Sequence, residues 1–100
     1  MTETADTQTS EVIHNVPEER FELRVGDALC QLNYRRLPDN LVIYHTEVPQ
    51  QLEGRGLAAR LTRAALAYAR AENLRVDPRC PYTAAFFQKH PEFQDLLATR

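Results

Sequence analysis

The stretch Tyr44-His45-Thr46-Glu47-Val48-Pro49-Gln50-Gln51-Leu52-Glu53-Gly54-Arg55-Gly56-Leu57-Ala58 decides the fold of this chain. A β-rich apolar run leads into a short turn with two glycines, and the turn opens directly into a long helical pattern. Glycine lets the backbone bend where a side chain would clash, so several amide N–H groups can converge on one point. The following helix adds unpaired N–H groups and the positive end of its dipole. The stretch therefore predicts a pocket for a phosphate or pyrophosphate.

The composition limits the class of protein. One hundred residues make one small domain, and 43% hydrophobic and 26% charged residues are typical of a soluble globular protein. The formal net charge of −2 argues against a nucleic-acid coat, and no apolar run is long enough to span a membrane. Cys30 and Cys80 lie far apart and form no metal-ligand spacing with histidine. We therefore expect no metal, reduced thiols and a cytoplasmic location.

The chain divides into an N-terminal lead and one domain. Residues 1–10 are rich in Thr, Glu and Asp and are predicted to be disordered, whereas residues 11–100 are predicted to form the domain. Alternation of apolar and polar residues predicts strands over residues 21–25 and 28–34, and residues 41–48 form a β-rich run. Residues 12–16 are a candidate first strand with little supporting pattern, so the prediction is three or four strands. Gly26-Asp27 and Pro38-Asp39-Asn40 supply turns, so the strands are expected to form an antiparallel meander.

The second half of the domain has helical periodicity. Residues 55–72 are predicted to be a helix with one apolar stripe, formed by Leu57, Leu61, Ala64, Ala65 and Tyr68. Asn73 predicts the end of this helix, and residues 74–77 predict a strand. Because a strand–helix–strand unit crosses over with a right hand, we expect that strand to lie parallel to the one before the turn.

A second helix is predicted over residues 81–89, and Pro91 predicts the start of a terminal turn or short helix. The predicted fold class is therefore mixed α/β. It combines a mostly antiparallel, twisted sheet with one parallel β–α–β unit at the glycine turn.

The glycine turn alone does not identify its ligand. Gln51-x-x-Gly54-x-Gly56 lacks the GxxxxGK[ST] pattern of a P-loop and the three glycines of the dinucleotide fingerprint. On spacing alone, a tight connection between a strand and a helix is an equally good interpretation.

Several linked motifs resemble one family. Gln51-x-x-Gly54-x-Gly56, between a strand and a long helix, resembles the acetyl-CoA pyrophosphate loop of the GCN5-related N-acetyltransferases. His45-Thr46-Glu47-Val48-Pro49 before the loop, Pro78-Arg79-Cys80-Pro81-Tyr82 after the next strand, and the ending over residues 86–93 resemble a minimal branch of that family. The resemblance covers about residues 12–97. It implies a truncated fold of that family and an acetyl-CoA-dependent N-acetyltransferase.

The resemblance also implies a place for acetyl-CoA. The pantetheine arm is expected in a gap between the strand of Glu47 and the strand of residues 74–77, with the pyrophosphate on the glycine turn. The implied cofactor contacts are Val48, Gln51, Leu52, Glu53, Gly54, Arg55, Gly56, Leu57, Ala58, Phe87, Lys89 and His90. Lys89 and His90 would meet the adenine or the 3′-phosphate, and a basic helix end that complements the dipole is the alternative for both.

Acetyl transfer to an amine needs a neutral nucleophile and a proton for the departing thiolate. His45 and Glu47 are the candidate bases, and their spacing of two residues places them on one face of a strand. The alternative for His45 is a structural hydrogen bond, and the alternative for Glu47 is a solvated charge.

The proton donor departs from the pattern of the broader family. Many members carry a tyrosine in the second helix where this chain has Phe87, which has no proton to give. Cys80 and Tyr82 are the candidate replacements. Cys80 precedes a helix, whose N-terminus can lower a thiol pKa, so this thiol can donate a proton, accept an acetyl group or form a mixed disulfide with CoA. A small apolar core residue is the alternative for Cys80.

Residues 12–23 leave no room for the helices that shape the acceptor site in larger members of the family. We therefore expect an open, shallow site for an unidentified amine, no nucleic-acid or membrane partner, and a monomer or weak homodimer. The open site and the missing tyrosine also fit a second hypothesis, a CoA-binding or acyl-CoA-binding module without catalysis. A generic phosphate-binding or interaction domain is a third, and it leaves the linked motifs unexplained.

Overall fold

The computed structural model describes residues 11–98, and the predicted disordered lead, residues 1–10, lies outside them. The strands in chain order are β1 (Ile13–Asn15), β2 (Arg20–Val25), β3 (Ala28–Arg36), β4 (Asn40–Glu47) and β5 (Arg75–Pro78). The helices are α1 (Leu57–Ala71) and α2 (Pro81–Lys89), with short 3₁₀ segments at Gln50–Leu52 and Pro91–Leu96. Within residues 11–98, neither helix has the length and apolar character that a membrane crossing requires.

The five strands form one sheet in the order β1-β2-β3-β4-β5. The first three neighbouring pairs are antiparallel, and β4 pairs with β5 in parallel through the crossover helix α1. The predicted mixed fold class, the meander and the parallel β–α–β unit are confirmed. Strand β1 is shorter than predicted, whereas α2 has the predicted bounds.

The core lies between one face of the sheet and the two helices. Every second side chain of β2, β3 and β4 points to this face, and α1 and α2 pack together over it, with the Arg63 guanidinium 5.3 Å from the centre of the Phe86 ring. Large side chains that are completely buried here include Leu23, Leu32, Tyr34, Leu41, Ile43, Leu61 and Leu66. Burial of this apolar surface is the main free energy that holds the helices on the sheet.

The apolar face of α1 is wider than the predicted stripe and is turned slightly. Ala64 and Tyr68 lie half-buried at its edge, and the buried residues are Leu57, Leu61, Thr62, Ala65, Leu66 and Ala69. Thr62 can be buried because its hydroxyl donates to the Ala58 carbonyl at 2.8 Å. Asn73 ends the helix as predicted, in the left-handed region at φ +59°, where an Asn is tolerated and closes the C-terminal turn.

Strand β4 contains a β-bulge that the sequence does not predict. The pairing with β3 shifts register after Asn33, which leaves Tyr44 on β4 as the extra residue. One inserted residue reverses the alternation of side chains beyond it. Thr46 therefore points to the face that carries the helices, whereas His45 and Glu47 point to the opposite face.

That opposite face is polar, and no helix of residues 11–98 covers it. Asn15 Nδ2 and Arg20 Nε both donate to Glu22 Oε2, at 2.8 Å and 2.6 Å. These hydrogen bonds, the one from Asn15 first, hold the pKa of Glu22 below its ordinary value. Side chains of β3 such as Gln31 continue the polar surface toward β4.

His14 on β1 is enclosed by aromatic rings at one end of the core. Its ring stacks on Phe21 with centroids 4.1 Å apart and meets Tyr68 edge-on at 4.5 Å, and its Nε2 lies 2.5 Å from the Tyr34 hydroxyl oxygen. Burial lowers the pKa of His14 from its ordinary value of 6.5, because charging the ring costs desolvation free energy.

We expect the free energy of unfolding to fall as the pH drops below 6.5, the ordinary value to which His14 returns on unfolding. Above that pH both states carry a neutral ring. Below it the unfolded chain binds the proton more readily, so stability is lost until the pH passes the lowered native pKa. Urea denaturation of the wild type and of His14→Phe at a series of pH values checks this. The variant should have a flatter profile; parallel profiles would exclude His14 as the cause.

Candidate active site

Strands β4 and β5 separate halfway along β4. Their pairing ends with Ile43 opposite Pro78, and the backbone amides of Arg79 and Cys80 both donate to the Ile43 carbonyl at 2.9 Å. Beyond this point β4 pairs with β3 alone, while the other chain turns away into α2. The bulge at Tyr44 lies where the strands part. The predicted divergence of the two strands is therefore present, and it leaves one edge of β4 without a neighbouring strand.

A cavity of about 480 Å³ occupies this divergence and extends to the start of α1. A volume of this size is typical of small-molecule sites. The residues on its wall come from the end of β4, the glycine turn, the first turn of α1 and the start of α2, and they are Thr46, Glu47, Val48, Leu52, Glu53, Gly54, Gly56, Leu57, Ala58, Ala59 and Tyr82.

The glycine turn supplies the bend that the sequence predicts. Gly54 has φ +87° and Gly56 has φ +77°, a left-handed conformation that side chains other than Gly rarely adopt. Gly56 is also the N-terminal cap of α1. The two glycines therefore give this turn a bend that other residues disfavour, and both of them line the cavity.

Some backbone amides of this turn are hydrogen-bonded within the protein, and the following ones have no backbone acceptor in the part of the chain that the structure describes. The amides of Leu52 and Glu53 donate to the carbonyls of Pro49 and Gln50 in a 3₁₀ turn. The amides of residues 54–59 donate to no backbone carbonyl within the described residues 11–98, and the first helical bond runs from Arg60 to Gly56. The expected donor set thus begins at Gly54 and not at Leu52, because the 3₁₀ turn consumes the earlier amides.

Cys80 is the N-terminal cap of α2, directly beyond the point where the strands part. Its side chain is buried, and its Sγ lies 3.6 Å from Oγ1 of Thr46 on β4. Burial acts to raise the pKa of this thiol, but the amides of Thr83 and Tyr82 and the hydroxyls of Thr46 and Thr83, which would donate to a thiolate, outweigh it. The pKa of Cys80 is consequently lowered from its ordinary value.

Tyr82 and Cys30 differ from Cys80 in ways that matter for chemistry. Tyr82 lies on the cavity wall and is 39% exposed, and burial raises its pKa, so it keeps its proton at neutral pH. Cys30 lies in the core with 0% exposure, and burial raises its pKa too. Of the two thiols, only Cys80 has surroundings that favour ionisation.

His45 and Glu47 lie together, as their spacing predicts. His45 Nε2 and Glu47 Oε1 are 3.4 Å apart on the uncovered face of the sheet. Glu47 also reaches the cavity wall, whereas His45 does not line it. The pair therefore lies on the opposite side of β4 from Thr46 and Cys80, a separation that follows from the bulge.

Several predicted cofactor contacts lie away from the cavity wall. Gln51 and Arg55 are exposed beside the glycine turn. Phe87 is 2% exposed and packs in the core, and its contact with the cofactor stays a prediction. Lys89 and His90 lie at the far end of α2, where His90 packs on the Phe86 ring at 4.1 Å. Their contact with a nucleotide stays a prediction.

Sequence reasoning left out three residues of this region. Thr46, in the quoted motif before the loop, would point away from Cys80 in an unbulged strand. Ala59 lines the cavity one residue beyond the predicted loop. Thr83 is completely buried in the first turn of α2. No local signal in the sequence marks any of the three.

Comparison with known proteins agrees with this geometry. The family model of the GCN5-related N-acetyl-transferases matches residues 20–96. The chain belongs to the GCN5-related N-acetyltransferase family. The match contains β2 to α2 complete and hence the whole of the cavity described above.

Within this N-acetyltransferase family, the chain is similar to vertebrate proteins named Protein NATD1. It is 37% identical to the Mus musculus protein over 83 residues and 30% identical to the Gallus gallus protein over 84 residues, covering 80% and 81% of this chain and 76% of each relative. A shorter match to the Bos taurus protein has 41% identity over 49 residues, which are 49% of this chain and 43% of that protein.

The fold of this N-acetyltransferase family member is also similar to a solved structure. The solution NMR structure of a GCN5-like protein from Staphylococcus aureus superposes with a TM-score of 0.71 at 26% sequence identity. The superposition covers 90% of this chain and 89% of the other. The similarity therefore extends over nearly the whole of both chains.

Proposed function

We propose that this protein is an acetyl-CoA-dependent N-acetyltransferase that transfers an acetyl group to a primary amine. One observation carries the proposal. The backbone amides of residues 54–59 donate to no backbone carbonyl within residues 11–98, and they belong to the turn and helix start that line a cavity reaching from the end of β4 to Tyr82. A bent, donor-rich turn at a helix N-terminus fits a pyrophosphate, and the unpaired edge of β4 beside it fits a pantetheine arm. Membership of an N-acetyltransferase family supports the same ligand.

We expect the parts of the cofactor to follow one another along the cavity. The pyrophosphate would lie on the amides of Gly54 to Ala59, and the neighbouring Arg55 would add a charged contact. The pantetheine amides would pair with the free edge of β4 near Val48, as a strand pairs with a sheet edge. This places the thioester near Tyr82 and Cys80, at the end of the cavity where the strands part.

The proposed reaction is direct attack of the amine nitrogen on the thioester carbonyl carbon. The carbon–sulfur bond breaks, CoA leaves as a thiolate, and the attacking nitrogen loses one proton. His45 and Glu47 are the candidate acceptors of that proton, since Glu47 lines the cavity and its Oε1 lies 3.4 Å from His45 Nε2 on the uncovered face of the sheet. Tyr82 and Cys80 are the candidate donors to the CoA sulfur, and Cys80 is also the candidate for a transient acetyl-cysteine.

The acceptor is proposed to reach the thioester from the uncovered side of the sheet. No helix of residues 11–98 closes that side, and the exposed His45–Glu47 pair faces it. A site of this shape makes few contacts with an acceptor beyond the amine itself. It suits an amine on a small molecule or on a protein, which the experiment below compares.

Two measurements test this proposal together. CoA at a hundred times its dissociation constant should stabilise the fold by ~2.7 kcal/mol, which for a domain of this size raises the melting temperature on the order of 10 °C. Acetyl-CoA and a panel of alkyl amines, polyamines and lysine peptides should then release CoA in step with acetylated product. Melting temperatures that CoA and acetyl-CoA leave unchanged would contradict the ligand.

A second candidate function is a CoA-binding module without catalysis. The position of Phe87 favours it, because this core side chain supplies no proton where many relatives of the broader family carry a tyrosine. The two functions separate in the same experiment. Stabilisation by CoA with no transfer to any amine of the panel would identify the binding module.

A further inference from the structure

Thr83 carries a buried hydroxyl that the fold does not satisfy. The residue is 0% exposed, and within residues 11–98 its Oγ1 is the buried side-chain oxygen that has no hydrogen-bond partner. A buried polar group without a partner costs free energy. Its presence therefore indicates a partner that the protein with a neutral Cys80 and no ligand does not provide. Thr62 is equally buried, but its hydroxyl donates to the backbone carbonyl of Ala58.

The position of Thr83 indicates which group its hydroxyl would bind. Cys80 caps α2, and Thr83 is in the first turn, three residues later. A helix cap normally offers an oxygen to the first-turn amides, and a neutral thiol is a poor substitute because its sulfur is a weak acceptor. A thiolate at the same place is a strong acceptor of charge-assisted hydrogen bonds.

We propose that Thr83, together with Thr46, is a positioning residue that stabilises Cys80 as a thiolate at the point where β4 and β5 part. Four donors then surround the sulfur, namely the amides of Tyr82 and Thr83 and the hydroxyls of Thr46 and Thr83. The Thr46 hydroxyl, 3.6 Å from the sulfur, accepts from the thiol and reverses to donate to the thiolate. The Thr83 hydroxyl gains the partner that it otherwise lacks.

The donors that favour ionisation are neutral. The titratable groups around the cavity are the Tyr82 phenol on α2 and the carboxyls of Glu47 on β4 and Glu53 in the glycine turn, and the causes that lower the pKa of Cys80 are hydrogen bonds and not the charges of these groups. The adjacent Arg79 is held by the Asp77 carboxylate at 3.0 Å. The thiolate therefore depends on hydrogen bonds from α2 and Thr46, which single substitutions can remove.

The catalytic consequence rests on the proposed function. A sulfur held as a thiolate accepts a proton or an acetyl group and does not donate, which leaves Tyr82 as the proton donor to CoA. Thr83 touches neither substrate nor cofactor in this scheme and acts only through Cys80. Its removal should lower kcat for transfer and leave the affinity for CoA unchanged.

The test is a pH titration of the Cys80 thiolate by ultraviolet absorbance, measured as the difference from Cys80→Ala so that Cys30 cancels. Thr83→Val removes the hydroxyl and keeps the shape, and it should raise the titration midpoint by about one pH unit, a tenfold loss of thiolate at a given lower pH. Thr83→Ser restores a hydroxyl and should return the midpoint to near the wild-type value. Thr46→Val should raise it as well.

If Thr83 has only a structural role, its replacement should not shift the midpoint of the Cys80 titration. An unchanged midpoint in folded Thr83→Val overturns the inference, as does a Thr83→Ser midpoint equal to that of the valine variant. If Thr83→Val fails to fold, Thr46→Val decides, and an unchanged midpoint there is equally negative. The titration needs no acetyl-CoA, so a protein that shows the shifts and transfers no acetyl group contradicts the proposed function and supports this inference.

Discussion

Replacing Cys80 by alanine is expected to lower kcat for acetyl transfer by about 10²–10⁴-fold, the usual contribution of a group that moves a proton in the transition state. The sulfur is expected to act at the thioester and not on the nucleotide, because Cys80 caps α2, two residues before Tyr82 of the cavity wall, and is not part of the glycine turn. The dissociation constant for CoA should therefore stay within a few-fold of the wild-type value. Steady-state kinetics and isothermal titration separate the two quantities.

The chain offers a matched control for this substitution. Cys30 is also a free, buried cysteine, but it lies in the core on β3. Cys30→Ala should lower stability through the lost packing and leave kcat largely unchanged. Intact-mass measurement during turnover distinguishes direct attack from a transient acetyl-cysteine on Cys80. Full activity in both Cys80→Ala and Tyr82→Phe would show that neither residue is the proton donor.

Replacing Gly54 by valine is expected to weaken CoA binding by about tenfold. The residue has φ +87°, and a β-branched side chain in the left-handed region costs roughly 1–2 kcal/mol. A Cβ at this position meets no protein atom within 4 Å, so the cost comes from the backbone conformation and not from a clash. We expect the turn of the unliganded variant to leave the left-handed conformation. Binding must then restore the bent backbone, and each 1.4 kcal/mol of that cost raises the dissociation constant by about a factor of ten.

Gly54→Asn is the matched control for this prediction, because asparagine tolerates the left-handed region. It should bind CoA more tightly than the valine variant while adding a side chain of similar size. Calorimetric dissociation constants for the wild type and both variants give the comparison. If the wild type and both variants bind CoA with equal affinity, the left-handed backbone at Gly54 does not contribute to cofactor binding.

Local patterns were sufficient for the order and type of the elements. Alternation along β2 and β3 sets which side chains are buried, since a strand has a period of two and one face must meet the core. Pro81 and Lys89 bound α2 as predicted, and Asn73 ends α1 in the left-handed conformation that its side chain tolerates. These features depend on residues close together in the chain.

The chemistry of the site was less accessible from sequence. The motif around Cys80 pointed to a reactive thiol, but the groups that act on that thiol come from β4 and from the buried side of α2. Thr46 reaches the sulfur only because the bulge at Tyr44 reverses the strand. Thr83 and Thr62 are the completely buried threonines of residues 11–98, and nothing in the sequence separates one from the other.

The sequence by itself determined the strand and helix order, the two left-handed glycines at the start of α1 and the family, because these follow from short-range backbone preferences and linked motifs. Tertiary structure alone decided where β4 and β5 part, that the amide donors begin at Gly54, and that His45 and Cys80 lie on opposite sides of β4. The physical reason is that register and hydrogen-bond partners between distant segments are set by how the strands pack. A one-residue bulge changes the face of the sheet to which every later side chain of the strand points, and no local sequence pattern indicates the bulge.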